Sequence, residues 1–404
     1  MNASVAFFAM ADENHFQRLR AIISGVVRQG ATARVFTHSR FAPAVAEAGA
    51  EFVDMFTRYP LEAADDESIP IVSRYVTYAA CYAESIAREL GAAPPSVIVA
   101  DTFSVIGRVV AAILEVPFVN VCAGHNMTPA RVSAEVAVYP RVHTSERCHR
   151  AVEILRDGYG IADASPFSYA SGLSPWLNLY CEPSAFLTAE ERKVFEPIAF
   201  FGSLPERSAT TRHDPYFGDS SHRSGGALKI YASFGTIIWR HYSDVAIAAL
   251  TAIADSVATL PDAELVVSLG RSGNALRSTL PNVTVLDYVD QDAVLREADV
   301  FISHQGMNST HEAILHTVPM ISYPFFWDQP SLAAKCATLG IARPLTDAVR
   351  GPITAAGVGR TLRRVVDARV AIRERLREVR QWEMETIAGR EEILERIVSL
   401  SPRV

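Results

Sequence analysis

Short apolar segments alternate with longer amphipathic segments in both halves of this 404-residue chain. Apolar segments of about four to eight residues bounded by turn residues are typical of buried strands, and the longer segments have helical periodicity. Strands alternating with helices predict parallel sheets covered by helices. The predicted strands are 4–9, 33–37, 97–100, 118–122, 229–234, 264–269, 283–286 and 300–303, and the predicted helices 16–28, 73–90, 105–114 and 243–258.

A polar stretch divides the two halves. Residues 205–226 are rich in Ser, Thr, His, Asp and Gly and contain almost no apolar residues, a composition typical of a linker. We therefore predict an N-terminal domain over 1–205, a linker over 206–226 and a second domain over 227–380. The charged, periodic segment 365–400 predicts closing helices.

Composition and charge limit the classes of molecule that this protein is expected to bind. Hydrophobic residues make up 49% of the chain, enough for two buried cores, and the net charge of −7 disfavours nucleic acid or an anionic membrane surface as a partner. Five cysteines without CxxC spacing indicate isolated thiols in a reducing cytoplasm. No apolar run is long enough to span a membrane, so we predict a cytoplasmic protein that binds small molecules. The oligomeric state stays open.

The segment after the strand 300–303 predicts an anion site. A polar turn there leads into a helix, for which Asn308 or Ser309 is the expected N-cap. The first-turn amides of a helix lack intrahelical partners and lie at the positive end of its dipole. His304, Asn308 and Ser309 add side-chain donors, and Gly306 allows close approach of the backbone. Phosphate is the expected ligand.

Residues 288–329 resemble the nucleotide-sugar signature of the family-1 glycosyltransferases. That signature consists of an aromatic-x-Pro-Gln box, His-x-Gly-x-Asn-Ser-x-x-Glu, Gly-x-Pro and Asp-Gln. This chain reads Tyr288-Val-Asp-Gln291, His304 to Glu312, Thr317-Val-Pro319 and Asp328-Gln329. Asp290 replaces the usual proline and Thr317 the usual glycine, but neither change removes a ligand-facing group.

The resemblance implies a fold and a class of enzyme. The fold is GT-B: two Rossmann-like parallel-sheet domains that face each other across a cleft, with a C-terminal helix within 381–404 packed on the N-terminal domain. The class of enzyme that the resemblance implies is an inverting, metal-independent hexosyltransferase. Within that family, the chain resembles the bacterial glycosyltransferases that modify macrolides and other natural products.

The resemblance also assigns the donor site. Ser233-Phe-Gly235-Thr236 and the 304–309 segment would contact the diphosphate, Tyr288 would stack on the pyrimidine with Gln291 nearby, Glu312 would bind the ribose, and Asp328 and Gln329 the sugar. Twelve residues are implied: Ser233, Gly235, Thr236, Tyr288, Gln291, His304, Gly306, Asn308, Ser309, Glu312, Asp328 and Gln329. Gly270 and Arg271 are further candidates. Core packing of Tyr288 and ordinary helix starts at the other positions are the alternatives.

His15 and Asp101 are the candidate catalytic residues. In the resembled family the loop after the first strand carries the general base, and a carboxylate orients it. A solvated loop histidine and a helix-capping Asp101 are the alternatives. Asp290 and Asp292 formally spell a metal-binding Asp-x-Asp, but their place at a helix start favours ordinary N-terminal acidic residues, so no metal is expected.

The acceptor site is the least constrained part. Aromatic and polar residues near the predicted strand ends suggest a flat, apolar acceptor such as a polyketide, macrolide or phenolic, although these residues also suit a core. The candidates are Tyr75, Tyr78, Phe103, His125, Asn126 and Phe326. Transfer from UDP-glucose is the predicted reaction. A dTDP-deoxysugar donor, a nucleotide-sugar epimerase and a non-catalytic nucleotide-sugar-binding helper protein are the alternatives.

Overall fold

The computed structural model describes residues 3–61, 73–122, 124–138, 144–167, 172–203, 215–218, 227–271, 273 and 276–400. The chain forms two compact units, one of Met1–Glu206 with Glu385–Val404 and the other of Arg207–Met384. Most of the predicted linker 206–226 lies outside the described residues.

The first unit is built on a parallel sheet. Its strands are β1 (Ser4–Phe8), β2 (Thr32–Thr37), β3 (Glu51–Asp54), β4 (Val97–Asp101), β5 (Phe118–Cys122), β6 (Leu177–Tyr180) and β7 (Ile198–Phe200). They lie in the order β3-β2-β1-β4-β5-β6-β7. Every residue of β4 and β5 is buried, in keeping with their mostly apolar sequences. The strand order reverses between β1 and β4, where sheets of this kind bind ligands.

Helices cover this sheet. They are α1 (Glu13–Arg28), α2 (Ala42–Glu47), α3 (Met55–Arg58), α4 (Ser73–Gly91), α5 (Val105–Leu114), α6 (Pro129–Val138), α7 (Glu146–Glu153) and α8 (Ala189–Val194). The predicted start of α1 at Phe16 was wrong, because the helix begins at Glu13. The Oδ1 atom of Asp12 accepts a hydrogen bond from the backbone N–H of His15 at 3.2 Å, so Asp12 caps the helix. His15 therefore lies in the first turn of α1 rather than in a loop.

The second unit has its own parallel sheet. Its strands are β8 (Leu228–Ser233), β9 (Ala263–Ser268), β10 (Val283–Leu286), β11 (Val300–Ser303), β12 (Met320–Ser322) and β13 (Ala342–Pro344), in the order β10-β9-β8-β11-β12-β13. The order reverses between β8 and β11. The helices are α9 (Ile238–His241), α10 (Ser243–Ala258), α11 (Gln291–Glu297), α12 (Met307–Leu315), α13 (Gln329–Thr338), α14 (Ala355–Asp367) and α15 (Arg369–Ala388).

The last helix, α16 (Arg390–Val398), belongs to the first unit and packs on α1. A Cβ atom on Gly25 of α1 would lie 2.4 Å from a methyl carbon of Leu394, so glycine permits this close approach. The predicted fold class of two Rossmann-like parallel-sheet domains is confirmed. Within the described residues, no helix is long and apolar enough to cross a membrane.

Candidate functional site

Four neighbouring strands of the second sheet end in serines that lie side by side in register. Three of their hydroxyl oxygens accept the backbone N–H two residues further on, which turns the chain sharply away from the strand. The serines that pair across the sheet are Ser268 with Ser233, Ser233 with Ser303, and Ser303 with Ser322. The hydroxyl oxygens accept the N–H of Gly235 on Ser233 at 3.3 Å, of Gly270 on Ser268 at 3.4 Å and of Gln305 on Ser303 at 3.0 Å. These turns bring the donor candidates to the edge where the strand order reverses.

Gln305 fixes the turn that carries His304. Its backbone has a φ of 64°, and its buried side chain accepts a hydrogen bond from Ser322 Oγ at 2.7 Å and donates to Thr310 Oγ1 at 3.0 Å. The sequence analysis did not identify Gln305. The repeated pattern of a serine that ends a strand and a turn two residues later is the sequence signal that would have identified it.

Gly306 is the N-cap of α12, and the predicted N-cap at Asn308 or Ser309 was wrong. The carbonyl oxygen of Gly306 accepts the N–H of Thr310 at 3.0 Å, so the helix begins at Met307. Ser309 Oγ accepts a hydrogen bond from Gln291 Nε2 at 3.0 Å instead of capping the helix. Asn308 and Ser309 thus lie in the first turn, and their position still suits an anion site.

The His304 ring lies between two glycines. A Cβ atom would lie 2.4 Å from His304 Nε2 at Gly306 and 2.9 Å from the ring Cε1 at Gly235, whose φ is 71°. Burial lowers the pKa of His304 to about 4, with the Ser233 backbone partly opposing the effect. The ring is therefore neutral near pH 7, and its single N–H can donate a hydrogen bond to an anionic oxygen.

Three predicted donor residues meet through one amide. The Nε2 atom of Gln291 donates to Glu312 Oε2 at 2.6 Å as well as to Ser309, and Tyr231 donates its hydroxyl to Gln291 Oε1 at 3.3 Å. Burial raises the pKa of Glu312 to about 7, although its bond with Gln291 lowers it. Glu312 therefore changes protonation near neutral pH.

Tyr288 is 55% exposed, which argues against core packing. The guanidinium carbon of Arg271 lies 4.0 Å from the centre of its ring. Thr236 is also exposed, in the turn after β8, where Trp239 Nε1 donates to the Gly235 carbonyl oxygen at 2.9 Å. Tyr288 and Thr236 thus remain accessible at the strand ends.

Asp290 and Asp292 are engaged with the protein. Asp290 caps α11 by accepting the N–H of Ala293 at 3.2 Å, and Asp292 contacts both Arg296 and His316 Nε2, the latter at 2.7 Å. In the described part of the chain, no group of three or more His, Cys, Asp or Glu side chains has the geometry to hold a metal ion. Metal independence stays a prediction.

Asp328 and Gln329 begin α13 and are buried. The Oε1 atom of Gln329 accepts the backbone N–H groups of Phe325 and Phe326 at 2.9 and 3.3 Å, so its Nε2 is the atom suited to a sugar oxygen. Phe326 packs near Tyr242 in the second unit, whereas the other five acceptor candidates lie in the first unit.

His15 and Asp101 meet at the point of the first sheet where the strand order reverses. The Nδ1 atom of His15 lies 2.7 Å from Asp101 Oδ2, and Asp101 Oδ1 accepts the backbone N–H of Phe103 at 2.9 Å. Asp101 is fully buried, whereas the His15 side chain is 13% exposed. A proton on Nδ1 that is held by the carboxylate leaves Nε2 to accept a second proton.

The pKa of His15 lies above its usual value. Burial lowers this pKa, but the charge of Asp101, the hydrogen bond to it and the charge of Asp12 outweigh the effect. The imidazole is therefore a stronger base than a free histidine, and the charged form that follows proton transfer is stabilised by Asp101.

Aromatic rings flank His15. Phe103 stacks on the imidazole with 4.0 Å between ring centres, and Tyr75 stacks on Phe103 at 5.5 Å. Tyr78 contacts Phe56 and Tyr82 in the same unit. His125 and Asn126 follow β5, two strands from β1. The five first-unit acceptor candidates are all buried, so a wall of an apolar pocket and a packed core are both consistent with their positions.

Comparison with known families places these observations in context. Residues 205–374 match the family model of UDP-glucoronosyl and UDP-glucosyl transferase. The chain is 25% identical over 197 residues to the uncharacterized UDP-glucosyltransferase YdhE of Bacillus subtilis (strain 168), covering 48% of this chain and 46% of YdhE. It is 41% identical over 88 residues to the oleandomycin glycosyltransferase of Streptomyces antibioticus, covering 21% and 20% of the two chains. The chain thus spans less than half the length of these relatives.

The fold likeness extends over nearly the whole chain. The crystal structure of the glycotransferase of kitacinnamycin has a TM-score of 0.72 at 22% identity, covering 98% of this chain and 100% of the other. The calicheamicin glycosyltransferase CalG4 has a TM-score of 0.71 at 21% identity, covering 98% of both chains. The resemblance to the family-1 glycosyltransferases predicted from the sequence is confirmed.

Proposed function

We propose that this protein is an inverting glycosyltransferase that moves a hexosyl group from a nucleoside-diphosphate sugar to a hydroxyl of a small apolar or aromatic acceptor. The observation that carries this proposal is the assembly of the donor signature at the reversal of the second sheet, where Gln291, Ser309 and Glu312 are joined by hydrogen bonds. Residues separated in sequence meet there, which supports a donor site at this edge of the sheet.

The second unit would bind the donor and stabilise the leaving group. The first-turn amides of α12 would meet the diphosphate, the neutral His304 would donate a hydrogen bond to a phosphate oxygen, and Thr236 would contribute its hydroxyl. The negative charge on the diphosphate increases as the bond to the anomeric carbon breaks. Fixed donors already oriented toward that charge lower the barrier without a metal ion.

The first unit would supply the base. The Nε2 atom of His15 takes the proton of the acceptor hydroxyl while Asp101 holds Nδ1–H and stabilises the resulting imidazolium. The acceptor oxygen attacks the anomeric carbon from the face opposite the diphosphate, so the anomeric configuration inverts.

UDP-glucose is the donor that the residues favour. Glu312 suits a ribose with both hydroxyls, and Asp328 with the Nε2 of Gln329 suits a sugar that retains its hydroxyls. A deoxysugar would leave a buried polar group unpaired at a cost of about 1 to 3 kcal/mol. The Asn308-Ser309 pair is also the form typical of UDP-sugar users in the resembled family, and the description of the matching family model names UDP-sugar enzymes.

A dTDP-deoxysugar is the second candidate donor. The spinosyn rhamnosyltransferase SpnG, solved in complex with thymidine diphosphate, has a TM-score of 0.65 and 16% identity to this chain. Competition between the two donors on one acceptor tests the choice. UDP-glucose should have the higher kcat/KM, and a preference of about tenfold or more for a dTDP-6-deoxysugar, about 1.4 kcal/mol, would favour the second candidate.

Binding of UDP is expected to depend on pH through Glu312. The carboxylate accepts ribose hydroxyls, and its pKa in the free protein is about 7. Affinity should therefore be full above pH 7 and fall by up to about tenfold per unit below it, because protonation competes with binding. Calorimetric titrations from pH 5.5 to 8.5 measure this. The Glu312→Gln variant should bind more weakly and with a shallower profile, in which only the ionisation of the terminal phosphate of UDP at about pH 6 remains. An equally steep profile in that variant would exclude Glu312 as the cause.

The Gly306→Ala variant is expected to bind UDP at least about tenfold more weakly, because the new Cβ would lie 2.4 Å from His304 Nε2 and overpacking costs about 1 to 3 kcal/mol. Fluorescence titration measures the affinity. Gly91→Ala is the control, since nothing lies within 4 Å of a Cβ there. Unchanged UDP affinity in the Gly306 variant would show that the His304 turn is not part of the donor site.

Transfer is expected to be insensitive to chelation, because both carboxylates of the Asp-x-Asp segment are engaged with protein groups. Turnover with excess EDTA should stay within about twofold of the untreated rate, whereas metal-dependent transferases rely on the ion to offset diphosphate charge. A large loss that added Mg²⁺ or Mn²⁺ restores would overturn the metal-independent mechanism.

A further inference from the structure

The first unit contains a second histidine–carboxylate pair. The Nδ1 atom of His125 lies 2.7 Å from Glu182 Oε2, and both side chains are almost completely buried. His125 follows β5 and Glu182 follows β6, just as His15 follows β1 and Asp101 ends β4. Since these strands are adjacent in the order β1-β4-β5-β6, both pairs lie along one edge of the sheet.

Asn126 lies beside this second pair in a constrained conformation. Its φ is 51°, in the left-handed region. Its backbone N–H donates to the Tyr180 hydroxyl at 2.8 Å, and its side-chain Nδ2 donates to Glu191 Oε1. The pKa of Tyr180 lies well above its usual value because of burial and then the charge of Glu182. Asn126 is thus anchored on two sides by a continuous polar network.

The Oδ1 atom of Asn126 is different from the rest of this network. Asn126 is only 4% exposed, and its Oδ1 is buried without a hydrogen-bond partner among the described residues. The pairing of Nδ2 with a carboxylate sets the orientation of the amide, because only the NH₂ group can donate to Glu191. A buried carbonyl oxygen left unpaired costs about 1 to 3 kcal/mol, so a ligand group or a water that pairs with Oδ1 would recover that cost.

We propose that Asn126 Oδ1 binds a second hydroxyl or N–H group of the acceptor, apart from the hydroxyl that His15 deprotonates. This inference rests on the proposed function, since it assigns the acceptor of that reaction. A carbonyl oxygen accepts but does not donate, so the site selects a hydroxyl over the corresponding methyl ether. The two groups follow β1 and β5, which are two strand spacings apart in the sheet, about 9 to 10 Å. The acceptor is therefore a rigid molecule with two separated hydroxyl or amino groups.

Binding of matched phenols without any sugar donor tests this inference. The probes are 4,4′-dihydroxybiphenyl and 1,5-dihydroxynaphthalene, each compared with its monomethyl ether by calorimetry. The protein should bind at least one diphenol about five- to 150-fold more tightly than its ether, which corresponds to pairing one buried group. Equal binding of diphenol and ether in both series, or binding of neither, overturns the proposal.

Two variants show whether Asn126 is responsible for the preference. Asn126→Gly keeps a residue that adopts positive φ but removes the side chain, so the preference for the diphenol should disappear while the ether binds as before. Glu191→Gln keeps an acceptor for Nδ2 and should retain the preference. Thermal unfolding verifies that both variants fold. A preference that survives in Asn126→Gly would mean that water alone satisfies Oδ1 and overturns the proposal.

No donor sugar is present in these titrations, so their outcome is independent of transfer. A protein that prefers diphenols through Asn126 but never transfers a sugar would contradict the proposed function and leave the acceptor site standing. A protein that transfers glucose but binds diphenols and ethers equally would support the proposed function and contradict the acceptor site at Asn126.

Discussion

The His15→Ala variant is expected to lose about 10²- to 10⁴-fold in turnover while its affinity for UDP stays within about twofold. The imidazole is the group that takes the acceptor proton, and nucleotide binding is assigned to the second unit. Steady-state kinetics with a hydroxyl acceptor, together with UDP titration, measure both quantities. His149→Ala is the matched control, because His149 is an exposed histidine of the same unit and should leave both quantities unchanged.

Asp101→Asn adds a test of the pair. The base must be neutral to accept a proton, so turnover should rise with pH through the pKa of His15, which the charge of Asp101 helps to hold above its usual value. Removing that charge lowers the pKa. The acidic limb of the profile should therefore move to lower pH, and the plateau should fall by less than in His15→Ala. Near-normal transfer by His15→Ala would exclude His15 as the base.

The Glu383→Ala variant is expected to lose about 3 to 5 kcal/mol of unfolding free energy. Glu383 of α15 contacts His311 of α12, and both side chains are fully buried. Removal of the carboxylate leaves a buried imidazole without this partner, at a cost of about 1 to 3 kcal/mol, and it also opens a cavity in the core. Because His311 lies next to Glu312 in α12, UDP affinity should fall as well. Urea unfolding measures the stability.

Two controls make this prediction specific. Replacement of the pair by His311→Leu with Glu383→Leu should recover most of the lost stability, since apolar packing can substitute for a buried polar pair. Glu378→Ala removes the exposed contact with Arg375 and should cost less than about 1 kcal/mol. A loss in Glu383→Ala no greater than in Glu378→Ala would show that the buried pair does not stabilise the unit.

The sequence predicted much of the fold because several elements have clear ends. The predicted bounds of β5, α5, α10, β10 and β11 are those of the structure. In each case an apolar or amphipathic run meets turn residues, so local chemistry decides where it stops. The predicted starts of α1 and α12 were wrong because the conformation of the preceding turn determines which residue caps each helix. The Asp12 side chain caps α1, and Gly306, which packs against His304, is the N-cap of α12.

Other features depend on contacts between distant segments. The pairing of His311 with Glu383 joins residues on helices far apart in sequence, and that of His125 with Glu182 depends on the register of two strands. No local periodicity encodes such contacts. His15 and Asp101 were predicted as a pair because each lies near the end of a strand, in the position that the resembled family gives to its base or to its orienting carboxylate, and the structure brings them into contact. Their catalytic role stays a prediction.

Incubation of the protein with UDP-glucose and a panel of polyketide, macrolide and phenolic acceptors, followed by mass spectrometry and measurement of released UDP, tests the central claim most directly. We predict a product heavier by one hexosyl unit and UDP release that requires the acceptor. Conversion of the nucleotide sugar in the absence of acceptor would indicate an epimerase or hydrolase. Tight UDP binding without transfer to any acceptor from UDP- or dTDP-sugars would contradict the account and indicate a non-catalytic helper protein.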